Sequence, residues 1–259
     1  MTYETIKYER KGRIAYITLN RPDALNAFNS QLDAEVHAAY EEYDFDDEAW
    51  VAIIHGNGRC FSAGADVKQR FVGDHSKEWV WLMSLPYSTD GYLARTANWK
   101  PVIAAVHSYC LGAGLAVALE CDLIVASEDA KFGITETKRG VISGRIYYQL
   151  HTFMPSKVSN EALLTGDPVP APELHRLGLL NRMVPVGKHL EAAEELAQQL
   201  LKAPPLAVRA GVRVSRWPYI RKISEASLIV QPQRLHFSED FKESSQAFVE
   251  KRQPVFHGR

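Results

Sequence analysis

The sequence lacks any apolar run near the roughly 20 residues that a membrane-spanning helix needs, so no spanning segment is expected. It is poor in cysteine, with three residues, Cys60, Cys110 and Cys121. The odd count and the absence of a zinc-ligand spacing argue against a disulfide framework and against a structural zinc site. Reduced thiols in a cytoplasmic protein are the expectation. Neither sign of charge is in excess: 30 Lys and Arg stand against 31 Asp and Glu. Basic residues are interleaved with acids except toward the end, so neither a nucleic-acid partner nor a membrane surface is expected. The start, Met1-Thr2-Tyr3-Glu4, shows no basic stretch leading into an apolar core, and no secretory signal is expected. No repeat of fixed period is visible.

What is present is ordinary for a globular chain. The 259 residues are 46% hydrophobic and 24% charged, enough for one large domain, or one domain plus a small appendage, around a sizeable core. Residues 14–19 (Ile-Ala-Tyr-Ile-Thr-Leu) read as a strand that Asn20-Arg21-Pro22-Asp23 stops. Asn29-Ser30 marks a helix start, and Leu32, Val36, Ala39 and Tyr43 keep helical spacing over 31–44. A short buried strand over 51–54 ends at Gly56-Asn57-Gly58. Asp66 is placed to cap a helix after Ser62-Ala63-Gly64-Ala65. Over 71–98, Trp79, Trp81 and Pro86 suggest helices and a mobile loop. A strand over 102–106, a small-residue helix from Gly112 through Cys121 and a strand over 123–126 follow. This recurrence predicts an α/β core. From residue 144 the chain reads as mostly helical, with an amphipathic stretch at 188–202, a break at Pro204-Pro205 and a last helix at 239–251. That last helix puts Phe241, Ser245 and Phe248 on one face, which must cover its own core or a neighbouring subunit.

Three segments could carry chemistry. Cys60-Phe61-Ser62-Ala63-Gly64-Ala65-Asp66-Val67 lets a ligand approach the backbone where a helix start leaves N–H groups unpaired. The same segment also suits a plain strand-to-helix turn. Pro101 to Gly114 again delivers a strand into a small-residue helix start, which could equally serve close packing. Together the two could aim two N–H groups at one oxygen. In Phe132-Gly133-Ile134-Thr135-Glu136, Glu136 could be a general base, or an acid satisfied by a helix start.

These segments, with Asn20-Arg21-Pro22, Ala24-Leu25-Asn26-Ala27, Cys121-Asp122-Leu123 and the ending Phe248 to Phe256, resemble the enoyl-CoA hydratase/isomerase (crotonase) family over essentially the whole chain. The resemblance implies an α/β spiral of ββα units over 1–200 and a helical C-terminal region over 201–259 that builds trimers. It implies that the N–H groups of Ala65 and Ala113 form an oxyanion hole. Ala24, Leu25, Ala63, Asp66, Val67 and Leu111 would line the coenzyme A groove largely through backbone atoms. Lys251 and Arg252 match basic positions near the coenzyme A phosphates, of the same or an adjacent subunit. An acyl-CoA substrate, a homotrimer or dimer of trimers, and no cofactor beyond the coenzyme A moiety are the further implications.

The sequence also departs from the pattern. Family hydratases hold one water between two glutamates. The first of those positions is Ala116 here, and the second is Glu136. Glu120 lies one further turn along, displaced by about 5–6 Å, so it is not a simple substitute. The middle glycine of the second turn is Ala113, whose methyl leaves the N–H donor in place. Arg145, Tyr147, Tyr148 and His151 replace small residues where the acyl pocket is expected. They could shape it, supply acid groups or merely pack. A single carboxylate suits isomerase-type proton transfer on an enoyl-CoA. The alternatives are a hydratase or hydrolase with a nonstandard partner such as Glu120, Tyr147 or His151, and a noncatalytic CoA-binding scaffold, against which Glu136 argues.

Overall fold

A computed structural model describes residues 2–70, 99–142, 144–230 and 235–258, with backbone alone for Arg70, Arg145, His236 and residues 218–230. The helices and mobile loop expected over 71–98 lie outside the described residues.

Six strands form the main sheet: β1 (Ile6–Lys11), β2 (Ile14–Leu19), β3 (Val51–Gly56), β4 (Val102–Val106), β6 (Leu123–Ser127) and β9 (Arg182–Val184), in the order β1-β2-β3-β4-β6-β9. Only β1 is antiparallel to its neighbour. The others pair in parallel, as the buried runs of β2, β3 and β4 lead one to expect, because a parallel sheet is covered on both faces. One face carries the larger core, with Ile17, Leu19, Ile54, Ala104 and Val106 packed among Phe28, Leu32 and Phe61. Helix α1 (Ser30–Phe45) adds Val36, Ala39 and Tyr40 to this core. The Asn29 side chain caps α1 by accepting the Leu32 N–H at 2.9 Å. The other face carries Ile53, Ile103 and Val125 against Ala192, Ala193 and Ala197 of helix α7 (His189–Leu200).

A second sheet of three short strands, β5 (Tyr109–Leu111), β7 (Lys131–Gly133) and β8 (Val169–Pro170), branches from the first. The remaining helices are α2 (Val67–Arg70), α3 (Ala113–Glu120), α4 (Gly144–Phe153), α5 (Ser156–Thr165), α6 (Ala171–Arg176), α8 (Pro205–Val230) and α9 (Glu239–Glu250). Helix α8 lies along α4, and α9 lies on the helical turn Thr137–Arg139. The tail after α9 folds back on it. Asp240 accepts the N–H groups of His257 and Gly258 at 2.6 and 2.8 Å, and Glu243 accepts that of Val255 at 2.9 Å. No described helix is long and apolar enough to cross a membrane.

Candidate active site

Two turns meet at the junction of the sheets. The chain over 61–62 runs parallel to 107–111, through Phe61 N–H to the His107 carbonyl (3.0 Å), Ser62 N–H to the Tyr109 carbonyl (2.9 Å) and Leu111 N–H to the Ser62 carbonyl (3.0 Å). This pairing brings the turn at Ala63-Gly64-Ala65 against the turn at Leu111-Gly112-Ala113. A Cβ at Gly64, where φ is +100°, would lie 3.1 Å from the Leu111 carbonyl oxygen. A Cβ at Gly114 would lie 2.6 Å from the Ser62 Cβ, so the start of α3 sits directly on the first turn. No hydrogen bond among the described residues uses the N–H of Ala65 or of Ala113. Ala113 opens α3 with helical backbone, which its methyl group tolerates.

Glu136 completes the group. Gly112 N–H donates to the Gly133 carbonyl at 2.8 Å, tying the second turn to the strand that leads to Glu136. A Cβ at Gly112, where φ is +48°, would lie 2.6 Å from Glu136 Oε1. Glycine is therefore required here both by backbone conformation and by the approach of the carboxylate. Glu136 stands at the start of the helical turn Thr137–Arg139, but its side chain does not cap that turn. Its Oε2 is buried and has no hydrogen-bond partner among the described residues. Burial pushes the carboxyl up to about 7, with backbone hydrogen bonds at Glu136 and Thr135 pulling the other way. The structure thus brings the turns that hold Ala65 and Ala113 and the buried carboxyl of Glu136 to one place.

The enoyl-CoA hydratase/isomerase family profile matches residues 9–259. The chain belongs to the enoyl-CoA hydratase/isomerase family. A Mycobacterium tuberculosis protein named probable enoyl-CoA hydratase is 37% identical over 263 residues, covering 100% of both chains. A carnitinyl-CoA dehydratase of Citrobacter koseri is 37% identical over 269 residues, covering 99% of each. A crystal structure of carnitinyl-CoA hydratase from Mycobacterium avium superposes with a TM-score of 0.82 at 36% identity, covering 100% of both chains. The two sheets and C-terminal helices are those of the crotonase α/β fold.

Within this crotonase frame the other expected residues lie in several places. Ala24, Leu25 and Ala63 adjoin the first turn, since the Leu25 carbonyl accepts the Ala63 N–H at 3.0 Å and Leu25 itself has φ +52°. Asp66 faces Arg21 at 3.1 Å and accepts the Gln69 N–H at 3.3 Å as a cap of α2, where Val67 is the first residue. Ala116 and Glu120 are both buried in α3, Glu120 at its C-terminal residue. Glu120 lies beside Tyr40 and Cys121.

Tyr147, Tyr148 and His151 lie on α4, whereas the Arg145 side chain lies outside the described residues. Tyr147 packs on the larger core, its ring 5.9 Å from that of His151, whose Nδ1 is 3.0 Å from Ser159 Oγ. Lys251 and Arg252 follow α9 and line a cavity of about 530 Å³ with Lys138, Arg139 and Phe248. Arg252 is held by two carboxylates, Glu243 at 2.5 Å and Glu250 at 2.6 Å.

Sequence reasoning quoted Asn26 without assigning it work. It is fully buried with φ +52°. Its Oδ1 accepts the Arg21 N–H at 2.9 Å, and its Nδ2 donates to the carbonyls of Asn57 (2.9 Å) and Cys60 (3.0 Å). Its own carbonyl accepts from Ser62 Oγ at 2.8 Å. One amide thus joins the loops at 21, 57 and 60 behind the first turn. The signal was there, because asparagine is the residue that combines left-handed backbone with a two-sided amide. Asn26→Ala is expected to cost about 2–3 kcal/mol in urea denaturation, from three unmade hydrogen bonds that are buried or partly buried. A cost below about 1 kcal/mol would remove Asn26 from this role.

Proposed function

We propose that this protein is an acyl-CoA enzyme of isomerase type, in which Glu136 moves a proton between two carbons of an enoyl thioester. The observation that carries the reading is the Glu136 carboxylate packed against Gly112, beside the Ala113 N–H, which no hydrogen bond among the described residues uses, and the turn that holds Ala65. The thioester oxygen is read as accepting from Ala65 and Ala113. Negative charge grows on that oxygen when the proton leaves, and fixed donors stabilise it more in the transition state than in the ground state. Glu136 takes the proton from one carbon, the electron pair shifts along the chain, and the same carboxyl returns the proton at the far carbon. One acid suffices because none is consumed.

In this reading Ala24, Leu25, Ala63, Asp66, Val67 and Leu111 border the coenzyme A groove, and Lys251 attends its phosphates. Arg252 serves less directly, since Glu243 and Glu250 already take its charge. Tyr147, Tyr148 and His151 are assigned to the acyl pocket by their place on α4. A homotrimer is supported by the exposed apolar residues Leu206, Val214 and Trp217 along α8.

The names of the relatives favour a second reading, addition or removal of water across the enoyl double bond. It requires a second group to orient the water, and the position that carries it in family hydratases is the buried methyl of Ala116. The deciding experiment incubates a panel of enoyl-CoA and acyl-CoA thioesters in deuterated buffer and analyses products by mass spectrometry. Deuterium incorporation with a shifted double bond and no net water supports the isomerase. A hydroxyacyl product supports the hydratase, and a free acid would sink both.

Ala116→Glu tests the same point by gain. Placing a carboxylate one turn into α3 is expected to raise hydration of crotonyl-CoA at least tenfold above the parent rate. A folded variant with no gain would mean that the shape of the pocket, and not the missing acid alone, sets the reaction.

A further inference from the structure

A second cluster of titratable side chains lies on the sheet face that α7 covers. His107, just past β4, stacks on His189, the first residue of α7, with ring centroids 4.5 Å apart and planes at 21°. His55, on β3, sits nearby with its Nε2 2.9 Å from Thr18 Oγ1. The remaining charged groups around the cluster are Asp129 after β6, Glu194 on α7 and Glu9 on β1. Glu194 is occupied in accepting the Tyr16 hydroxyl at 2.9 Å.

The stack leaves two ring nitrogens without partners among the described residues. His107 Nε2 lies 3.0 Å from the Gly58 carbonyl, to which only an N–H can donate. Nδ1 of His107 and Nδ1 of His189 are both buried with no partner among the described residues. A proton on His189 Nδ1 would create a buried N–H without an acceptor among the described residues, and a charge against the face of the His107 ring.

His107 is also joined to the two turns of the active site. Its ring holds the Gly58 carbonyl, and its own carbonyl accepts the Phe61 N–H, the first of the bonds that register 61–62 against 107–111. His189 is therefore the brace by which α7 supports that register from behind. We propose that the His107–His189 stack is an acid-sensitive latch that positions the Ala65 and Ala113 turns against each other, closed while the His189 ring is neutral and released by its protonation. Its consequence for turnover rests on the reading of those two amides given above, whereas the latch itself does not.

The direction follows from linkage. Burial, then the neighbouring imidazoles of His107 and His55, press His189 down to about 4, with Asp129 opposing. An opened histidine titrates at about 6.5. The opened form therefore binds the proton more tightly, and the closed form loses its advantage as pH falls from about 6.5 toward 4.

The test is hydrogen exchange by mass spectrometry on peptides covering 57–62 and 107–111, at pH 7.5 and 4.5, with rates corrected for intrinsic pH dependence. Wild type is expected to lose protection about tenfold on acidification. His189→Phe keeps a ring for stacking but cannot be protonated, and is expected to lose less than threefold. Equal losses in the two proteins, or no loss in wild type, would overturn the latch. Should the Phe variant not fold, histidine resonances of the wild type decide instead. Titration of His189 at or above about 6 would overturn it, whereas a depressed titration that tracks the loss of protection would support it. Exchange reads opening and not turnover, so an active enzyme with unchanged exchange defeats the latch and leaves the isomerase reading standing.

Discussion

Glu136→Gln is expected to lower turnover of an enoyl-CoA substrate by about 10³- to 10⁴-fold, the upper part of the range for a positioned acid–base group, because the proposed isomerase mechanism gives the whole proton transfer to this one carboxylate. Acyl-CoA binding, measured by calorimetry, is expected to change less than about threefold, since the variant keeps the shape of the site and the Ala65 and Ala113 amides. Turnover within tenfold of the parent would remove Glu136 from the mechanism. In the parent enzyme kcat/KM should rise with pH through about 7, where burial places the carboxyl, because only the ionised form can take a proton.

The same substitution has a stability signature of the opposite sign. The folded carboxyl binds its proton more tightly than an unfolded one, so stability falls as pH rises from about 4.5 toward 7 and stays low above it. Glutamine cannot ionise. Glu136→Gln should therefore be more stable than the parent by about 1–3 kcal/mol at pH 8 and nearly equal to it at pH 4.5. A gain of the same size at both pH values would show that packing, and not ionisation, is responsible. A site that becomes more stable when it loses its chemistry is what a buried carboxylate with no countercharge among the described residues implies.

Particular residues show which parts of this structure the sequence made legible. The strands β2, β3 and β4 read directly as unbroken buried runs, because a parallel sheet covered on both faces leaves no polar alternation. Strand β1 did not, since its edge position leaves Lys7, Glu9, Arg10 and Lys11 facing outward or partly so. The second sheet was invisible for a different reason: its strands have three, three and two residues, too few to show a period. The helix caps Asn29 and Asp66 were legible from residue type and position. The two small-residue turns were legible as turns, but that they share a wall follows from bonds between 61–62 and 107–111, which no local pattern encodes. For Glu136 the local pattern allowed a helix cap, and only the coordinates show that its side chain caps nothing. Arg252 illustrates the reverse: a basic residue that sequence offers to a phosphate is already held by Glu243 and Glu250.

The least legible contact is also the one whose loss should be felt most in stability. Arg216 of α8 and Asp122 before β6 are 94 residues apart in sequence. Arg216 is buried to 1% exposure, and its Nε donates to Asp122 Oδ1 at 2.7 Å while Nη2 reaches Asp122 Oδ2. Nη2 also donates to the Lys100 carbonyl at 3.0 Å, and Asp122 Oδ2 accepts the Val102 N–H at 2.8 Å. The network continues to α1, because Lys100 Nζ donates to the carbonyls of Tyr43 (2.9 Å) and Asp46 (2.7 Å) at that helix's C-terminal end. One guanidinium thus fastens α8 to β4 and to the turn before β6. Arg216→Leu leaves Asp122 without its cation, and such a cut typically costs about 3–5 kcal/mol. Adding Asp122→Asn removes the stranded charge while keeping an oxygen for the Val102 N–H, so the double variant is expected to regain about half of the loss. Urea denaturation of the parent, both single variants and the double variant gives the coupling directly. Losses that simply add would mean that the two side chains act separately, and that α8 is held to the sheet by its apolar contacts and not by this pair.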